Sequence, residues 1–345
     1  MSSKPSIPKG TRDFLPSQVI KRKYIFNTIE NVFKTYGYLP IETPAVENLS
    51  TLSGKYGEEG DKLLFKIRSN KNLYSELESK MSSESFSELI NNYNYTFIPK
   101  GSEKGLRYDL TVPFARFVVM HQNEINFPFK RYQIQQVWRG EAPGRGRYQE
   151  FYQCDVDVVG SESLMYEAEL VKIYANVFKK LGIKIKILIN NRKILFGLAE
   201  LMGITDKFMD MTIAIDKLDK IGADAVAAEM NNKGIDIYAA NKIVEIIKTG
   251  NLYDLKSAFL GLEEGTKGIE EIQTVLDYLD GSVPELTFDI SLARGLNYYT
   301  GCIFEVKVDT SSSGHPGFSM GSIGGGGRYD NLTGVFGLNG VSGVG

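Results

Sequence analysis

The sequence predicts an α+β fold, a β-rich body interrupted by a helical insertion, and excludes a doubly wound α/β sheet. Three observations carry this. Residues 130–159 alternate apolar and polar positions in two runs joined by a polar loop, as an antiparallel hairpin does. Strand signals resume at Thr287–Ile290 and Cys302–Val308. Between them, residues 194–281 switch to helical spacing punctuated by Gly222, Gly250 and Gly281.

The elements follow in order. Ser17 after Pro16 offers an N-cap, and Val19, Phe26, Ile29, Phe33 and Tyr36 continue at helical spacing to a stop at Gly37. Tyr38–Glu42 reads as a short strand that Pro44 breaks. Residues 71–96, rich in Ser, Glu and Asn, read as a surface excursion. Thr111-Val-Pro starts a helix that turns Phe114, Phe117 and Val118 to the core. The hairpin strands are Lys130–Arg139 and Arg147–Val159, and Ile183–Ile189 is a further strand. Ala223–Met230, Ala239–Lys248 and Ile269–Leu279 are the helices of the insertion.

Composition removes many functions. The chain has 345 residues, 42% of them apolar, and 40 basic against 42 acidic residues give a net charge of -2. No global basic field marks nucleic acid or an anionic membrane. No apolar run reaches membrane-spanning length, and the first ten residues lack the apolar centre of a signal peptide. Two cysteines are too few for a disulfide framework and point to the cytoplasm. The two histidines, His121 and His315, lie near no cysteine and in no HExxH, so no protein metal site is expected. No GxxxxGK[ST] phosphate loop is present. Arginine, carboxylates, tyrosine and glycine remain to carry the chemistry.

Four segments concentrate them. Residues 130–150 hold Lys130, Arg131, Arg139, Arg145 and Arg147 against Glu141 and Glu150. Arginine forks and glycines suit a phosphate chain, although an Arg-Gly loop is equally a surface turn. Along the hairpin, Gln133, Gln135 and Arg139 share one face of their strand, as Phe151, Gln153, Asp155 and Asp157 share one face of theirs. That face is either the floor of a site or a solvated outer surface. Arg294-Gly-Leu-Asn-Tyr-Tyr places a charge-stabilising arginine beside two tyrosines. Asp109 and Thr111 would face one way if extended, as a receptor for an ammonium group, yet Asp109 equally suits a helix N-cap. Finally, ten of the last 25 residues are glycine, which reads either as a frayed tail or as backbone open to close approach.

Taken together, these segments resemble the histidyl-tRNA synthetases, a class II aminoacyl-tRNA synthetase family. Gly37–Pro44 is similar to class II motif 1 and Arg131–Gly160 to motif 2. Leu292–Tyr299 and Gly325–Leu332 resemble the two histidine-specific signatures of the family, and the likeness includes Gly57–Lys62. The resemblance implies an antiparallel class II sheet flanked by helices, with a helical insertion domain. It implies ATP-dependent activation of L-histidine and transfer to the 3' end of tRNA(His), with Mg²⁺ accompanying ATP.

It also implies roles for residues. Arg139 would hold the α-phosphate, with Glu141 at the adenine edge, Phe151 on the ring and Arg147 at the terminal phosphates. Asp109 and Thr111 would receive the ammonium of histidine, with Gln153 at the amino-acid site. Asp157 and Tyr299 would read the imidazole, with Tyr298 adjacent, and Arg294 would stabilise charge on the α-phosphate. The carboxylate of histidine is itself the nucleophile, so alignment and charge stabilisation suffice and no general base is needed.

The domains expected are 1–193, catalytic; 194–281, insertion; and 282–345, catalytic again. Ser342–Gly345 resembles the opening of motif 3, so the rest of that motif and a C-terminal anticodon-binding domain are expected to be absent. The chain is then expected to bind histidine but activate it poorly. A homodimer through motif 1 is the family expectation. The competing reading is a non-catalytic histidine sensor such as the regulatory subunit of ATP phosphoribosyltransferase. A synthetase-like tRNA-binding domain within a larger regulator is a further alternative.

Overall fold

The computed structural model describes residues 4–67, 103–144, 146–293, 298–310 and 321–345. The excursion expected at 71–96 lies outside the described residues, as do Arg145, Arg294 and His315. The chain divides into two compact units: Met1–Asp13, Glu42–Phe117 and Ile134–Gln153 form the first, and Phe14–Ile41, Val118–Gln133 and Cys154–Gly345 the second.

The second unit is built on a mixed, mainly antiparallel sheet. Its strands are β1 (Leu39–Pro40), β5 (Phe129–Trp138), β6 (Glu150–Val159), β7 (Ile185–Asn191), β8 (Leu286–Phe288), β9 (Cys302–Val308), β10 (Gly324–Tyr329) and β11 (Gly343–Val344). They lie in the order β1-β5-β6-β11-β10-β9-β7-β8. The two-residue β1 pairs parallel to β5, Leu39 facing Arg131 and Pro40 facing Tyr132, and β8 pairs parallel to β7. The contacts β6–β11, β11–β10, β10–β9 and β9–β7 are antiparallel. The strands β5 and β6 run on into the first unit at Ile134 and from Gln153.

Helices flank this sheet. Helix α1 (Pro16–Thr35) is capped at Leu15, two residues before the N-cap expected at Ser17, because Pro16 presets the first helical φ and the Gln18 side chain accepts from the Leu15 N–H at 2.9 Å. It buries Val32 and Phe33, and the Phe33 ring meets Tyr132 of β5 with centroids 5.7 Å apart. Leu15, Ile20, Tyr24 and Ile25 of the same stretch remain exposed. A helix at Met165–Lys180, called α5 below, packs on α1.

The expected strand at Ile183–Ile189 is β7, shifted by two residues. Asn190 and Asn191 continue the ladder opposite Ile303 and Cys302, and the buried Asn190 amide donates to the Ile290 and Leu292 carbonyls at 3.0 and 2.9 Å. Asn191 then caps the next helix, α6 (Arg192–Leu201), by accepting from the Lys193 N–H. Further helices span Phe208–Ile215, Leu218–Ile221, Ala223–Asn232, Ile237–Thr249 and Leu252–Ala258, the last two capped by Asp236 and Asn251. The final one, α12 (Glu263–Leu279), starts six residues before the expected Ile269. Gly265 hides that start from a periodicity reading. A Cβ there would meet the Phe259 ring at 2.6 Å and Gly197 Cα of α6 at 3.1 Å, so a glycine seam lets the two helices touch.

The first unit carries a three-stranded sheet ordered β2-β4-β3, from β2 (Val46–Asn48), β3 (Lys66–Ile67) and β4 (Lys104–Leu106). Short helices α2 (Leu49–Leu52) and α3 (Gly57–Lys62) join β2 to β3, and α4 (Thr111–Met120) begins here as the Thr-Val-Pro signal predicts. Buried Arg107 fastens this unit, donating to the Thr43 and Gln136 carbonyls at 2.7 Å and to Gln135 Oε1 at 3.0 Å. The second hairpin strand was expected from Arg147, but β6 starts at Glu150. Residues 144 and 147 instead close a tight bridge, Gly144 N–H to the Arg147 carbonyl and the reverse, at 3.2 and 3.0 Å.

Among the described residues, no helix is long and apolar enough to cross a membrane.

Candidate functional site

The sequence-predicted residues fall into two groups, one in each unit. In the first unit, Asp109 lies just ahead of α4 and is 1% exposed. Its Oδ1 accepts from the Val112 N–H and from the Tyr56 hydroxyl, both at 3.1 Å. The N-cap reading of Asp109 therefore holds alongside any ligand role. Burial, and then the neighbouring Asp109 carboxylate, push the Tyr56 phenol well above its ordinary pKa, so it stays a donor. Thr111 opens α4 and is half-buried. Gln153, in the first half of β6, has a buried Oε1 without a hydrogen-bond partner. A buried acceptor left open this way costs stability unless a ligand donor meets it.

Arg139 follows β5. Its Nε donates to the Tyr108 carbonyl at 3.2 Å, and its guanidinium lies 4.4 Å from the Tyr108 ring centroid and 5.2 Å from that of Phe151. Burial raises the Tyr108 phenol. Downstream, exposed Arg147 pairs loosely with Glu141 at 3.9 Å. Gln149 ties this loop together: its carbonyl accepts from the Arg139 N–H at 2.9 Å, and its amide donates to the Glu141 carbonyl at 3.0 Å. The N-terminal segment holds the same residue, since the Gly10 carbonyl accepts from the Gln149 N–H at 2.9 Å while the Arg12 guanidinium lies 3.3 Å from the centre of the Tyr148 ring.

The second unit presents a different chemistry. Asp157 of β6 is 2% exposed and its two oxygens are divided between two partners. Tyr329 of β10 donates its hydroxyl to Oδ1 at 2.7 Å, and the fully buried Arg131 of β5 meets Oδ2 through Nη2 at 2.7 Å. Burial pushes the Asp157 carboxyl above its usual range, against the pull of Arg131 and Tyr329. Burial also drives the Tyr329 phenol far upward, so it remains a donor. The rings of Tyr298, Tyr299 and Tyr329 form an edge-to-face cluster, with Tyr298 5.0 Å from Tyr299 and 6.2 Å from Tyr329. Of the hairpin residues given as either site floor or solvated surface, Gln133, Asp157 and the neighbouring Arg131 are buried.

The glycine-rich end is the backbone on which these rings rest. A Cβ on Gly327 would meet the Cys302 carbonyl at 2.8 Å and Tyr299 Cδ1 at 2.9 Å, and one on Gly343 would overlap the Tyr329 ring. The frayed-tail reading is therefore overturned, since β10 and β11 are paired strands.

Behind the rings, Arg328 forms a buried fork on Glu167 of α5, Nε–Oε1 2.5 Å and Nη2–Oε2 2.7 Å, and also donates to Ser342. Ser342 and Thr300 in turn donate to the two oxygens of Asp330 at 2.6 Å. The cysteines lie outside any reactive setting. Burial pushes the Cys154 thiol up to about 12 and that of Cys302 well above its ordinary value. A shallow cleft in the second unit, lined in part by Asp216, Asp219, Asp289 and Lys307, includes none of the predicted site residues.

The structure thus brings Asp157, Tyr298 and Tyr299 together through Tyr329 in one unit, and Arg139 with Phe151, and Glu141 with Arg147, in the other. Arg294 lies outside the described residues. Sequence reasoning missed Tyr56, Arg131 and Tyr329 as site partners. Tyr329 stands inside the second quoted signature and Arg131 inside the counted basic run, but only the register of three strands shows that both reach Asp157.

Comparison with known proteins gives a consistent picture. A family model described as histidyl-tRNA synthetase matches residues 88–345. The chain is 54% identical to a histidine–tRNA ligase of Phocaeicola vulgatus and 55% identical to one of Bacteroides fragilis, each alignment covering 100% of this chain and 74% of the relative. The chain thus spans about three quarters of the length of these relatives. Among solved structures, a histidyl-tRNA synthetase from Nostoc sp. PCC 7120 superposes with a TM-score of 0.79 at 31% identity, over 99% of this chain and 73% of that one. An ATP phosphoribosyltransferase regulatory subunit/histidyl-tRNA synthetase from Bacillus halodurans C superposes at 0.76, with 20% identity, over 99% of this chain and 82% of that one. At that identity the likeness concerns the fold alone.

Proposed function

The chain belongs to the histidyl-tRNA synthetase family, and from that premise we propose how its residues serve the reaction. It is a histidine–tRNA ligase: ATP and L-histidine give histidyl-adenylate and pyrophosphate, and the histidyl group then passes to the 3' end of tRNA(His). The single observation that supports the histidine reading is the buried Asp157 carboxylate, fixed by Tyr329 at 2.7 Å beside the Tyr298–Tyr299 pair. It is an aromatic-walled acceptor suited to an imidazole N–H. Asp157 and Tyr299 then hydrogen-bond the imidazole, with Tyr298 adjacent. Such a site rejects apolar analogues strongly, because they leave its buried polar groups unpaired.

In the first unit, Asp109, Thr111 and the open Gln153 Oε1 receive the α-ammonium and orient the carboxylate. The Arg139 guanidinium holds the α-phosphate, Phe151 stacks on adenine, Glu141 takes the adenine edge and Arg147 reaches the terminal phosphates. The two arginines supply the positive charge a triphosphate needs, so the residues present fit ATP. Mg²⁺, when bound, would be held chiefly by phosphate oxygens and would offset their charge. Attack by the histidine carboxylate needs no proton transfer, and Arg294 would stabilise the charge that develops on the α-phosphate.

Residues 194–281 are proposed as an insertion domain within a catalytic body, and the exposed apolar stripe Leu15, Ile20, Tyr24 and Ile25 as the seat of a homodimer contact next to motif 1. A cytoplasmic site of action is proposed with them.

Replacing Arg294 by alanine tests the enzymatic reading against that of a histidine sensor. Histidine-dependent ATP–pyrophosphate exchange should collapse while histidine binding, followed by calorimetry, persists. Exchange and binding both unchanged would overturn the assignment.

A further inference from the structure

Arg131 has no role in the reaction as described so far, yet it is a fully buried guanidinium aimed at the group that reads the substrate. Its Nη2 lies 2.7 Å from Asp157 Oδ2, and its Nη1 donates to Gln133 Oε1 at 3.4 Å. A charge in such a place costs several kcal/mol of desolvation unless it is paired. The pair is electrically neutral, with Asp157 the negative partner, and it leaves acceptor capacity on both carboxylate oxygens. An ionised carboxylate offers about four lone-pair sites. Tyr329 fills one on Oδ1 by a hydrogen bond, and Arg131 meets Oδ2 as an ion pair.

Among the described residues, the groups that face Asp157 come from four elements, and the Gly345 backbone after β11 also lies against it, where a Cβ would overlap Oδ1. Arg131 of β5 is the cation, and Tyr329 of β10 donates to the carboxylate. Tyr38, preceding β1, and Tyr174 of α5 interact with it electrostatically, and burial raises both phenols above their ordinary pKa. None of these tyrosines brings a charge at neutral pH, so among the described side chains that face Asp157, Arg131 is the cation that offsets it.

The geometry points to Arg131 as a positioning residue that sets the protonation state of the substrate: by cancelling the charge of Asp157, it makes the site accept histidine with a neutral imidazole rather than an imidazolium. This rests on the reading of Asp157 as the imidazole acceptor. With Arg131 present, the carboxylate accepts the N–H of a neutral ring, and the second ring nitrogen remains free to accept from a hydroxyl. Without Arg131, a lone buried carboxylate would keep the bound ring protonated, as an imidazolium paired to Asp157. The two cases differ by one proton exchanged on binding.

Calorimetry of histidine binding to the 345-residue chain, repeated in buffers of different ionisation enthalpy, counts that proton. With an imidazole pKa near 6.5, about 0.8 proton should leave the ligand on binding at pH 6.0. In Arg131→Leu the release should fall to near zero, and histidine should bind at least tenfold more weakly at pH 8 than in the parent, the gap narrowing towards pH 6. In Arg131→Lys, which keeps the charge and loses the fork, the proton release should return even if affinity does not. A merely structural role would weaken binding at every pH and leave the proton count unchanged.

Two results would overturn the inference: no proton release by the parent at pH 6.0, or an unchanged count in a folded, binding Arg131→Leu. If Arg131→Leu does not fold, a release of zero in a folded Arg131→Lys, which keeps the charge, decides against it equally. Asp157→Asn separates the two layers. Parent-like histidine binding in that variant would sink the Asp157 reading itself, whereas lost binding with an unchanged count in Arg131→Leu sinks only the role of Arg131.

Discussion

Under the proposed function the two units meet the same problem, recognising a polar small molecule, with opposite physics. In the second, the polar groups stand on strands, are buried, and are paired before any ligand arrives: Asp157 with Arg131 and Tyr329, Arg328 with Glu167. In the first, the cations stand on the loop after β5, and the guanidinium of Arg139 rests on the Tyr108 and Phe151 rings while Arg147 is exposed. Preorganised buried groups discriminate, because a wrong ligand leaves them unpaired. Exposed loop cations attract and adapt, since a solvated arginine gives up little to change partners. On the proposed roles, reading of the imidazole and grip on the nucleotide fall to different kinds of structure.

The comparison can be broken by mutation, and the largest effect should come from its buried side. Asp157→Asn should weaken histidine binding by ~10²-fold or more, the order expected when a buried acceptor turns into a mismatched donor. Calorimetry checks this, and ATP affinity should stay within about twofold. Arg139→Ala should lower histidine-dependent pyrophosphate exchange by ~10²–10³-fold, as removal of a charge-stabilising donor does, with histidine affinity unchanged. Arg328→Met leaves Glu167 buried without its partner and should cost about 3–5 kcal/mol of stability in urea unfolding. The smallest change should be Arg12→Ala, which removes a cation–π contact of about 0.5–1 kcal/mol and should raise the KM for ATP a few-fold at constant histidine affinity. If the exposed Arg12 matters more than the buried Arg328, the contrast between the units is wrong.

A pH profile sharpens the same contrast. Burial raises the Asp157 carboxyl above the ordinary range, and its ionised form is the stronger acceptor for an imidazole N–H. Histidine affinity should therefore fall on acidification through that raised value, while a carboxylate held low by its neighbours would stay ionised. Burial raises Glu167 as well. For a carboxyl raised on folding, the stabilising proton is fully present below the unfolded pKa and is lost as pH rises through the folded one. Urea unfolding from pH 4 upward should show stability declining by that contribution.

Much of this was legible in the sequence because it depends on local pattern. Alternation located β5, β6 and β9, with β9 at Cys302–Val308 as expected, and the Thr-Val-Pro signal located α4. What failed depended on tertiary neighbours. The start of α12 was hidden because Gly265 is a helix breaker by propensity and a contact residue by position. The extension of β7 was hidden because Asn190 and Asn191 look like strand terminators until β9 pairs with them. Within the candidate site, family motifs named the residues that would touch substrate. They were silent on Arg131, Tyr329 and Tyr56, whose importance lies in the residues they hold.

The floor beneath the tyrosine rings is main chain: Gly327 under Tyr299 and Gly343 under Tyr329. A surface made of peptide planes has no side chain to trim or enlarge. Drift in substrate preference would have to pass through the rings and the carboxylate above it, because any residue added below lifts the rings out of register. The glycines thus act as a fixed datum plane, against which the height of the tyrosine cluster is set.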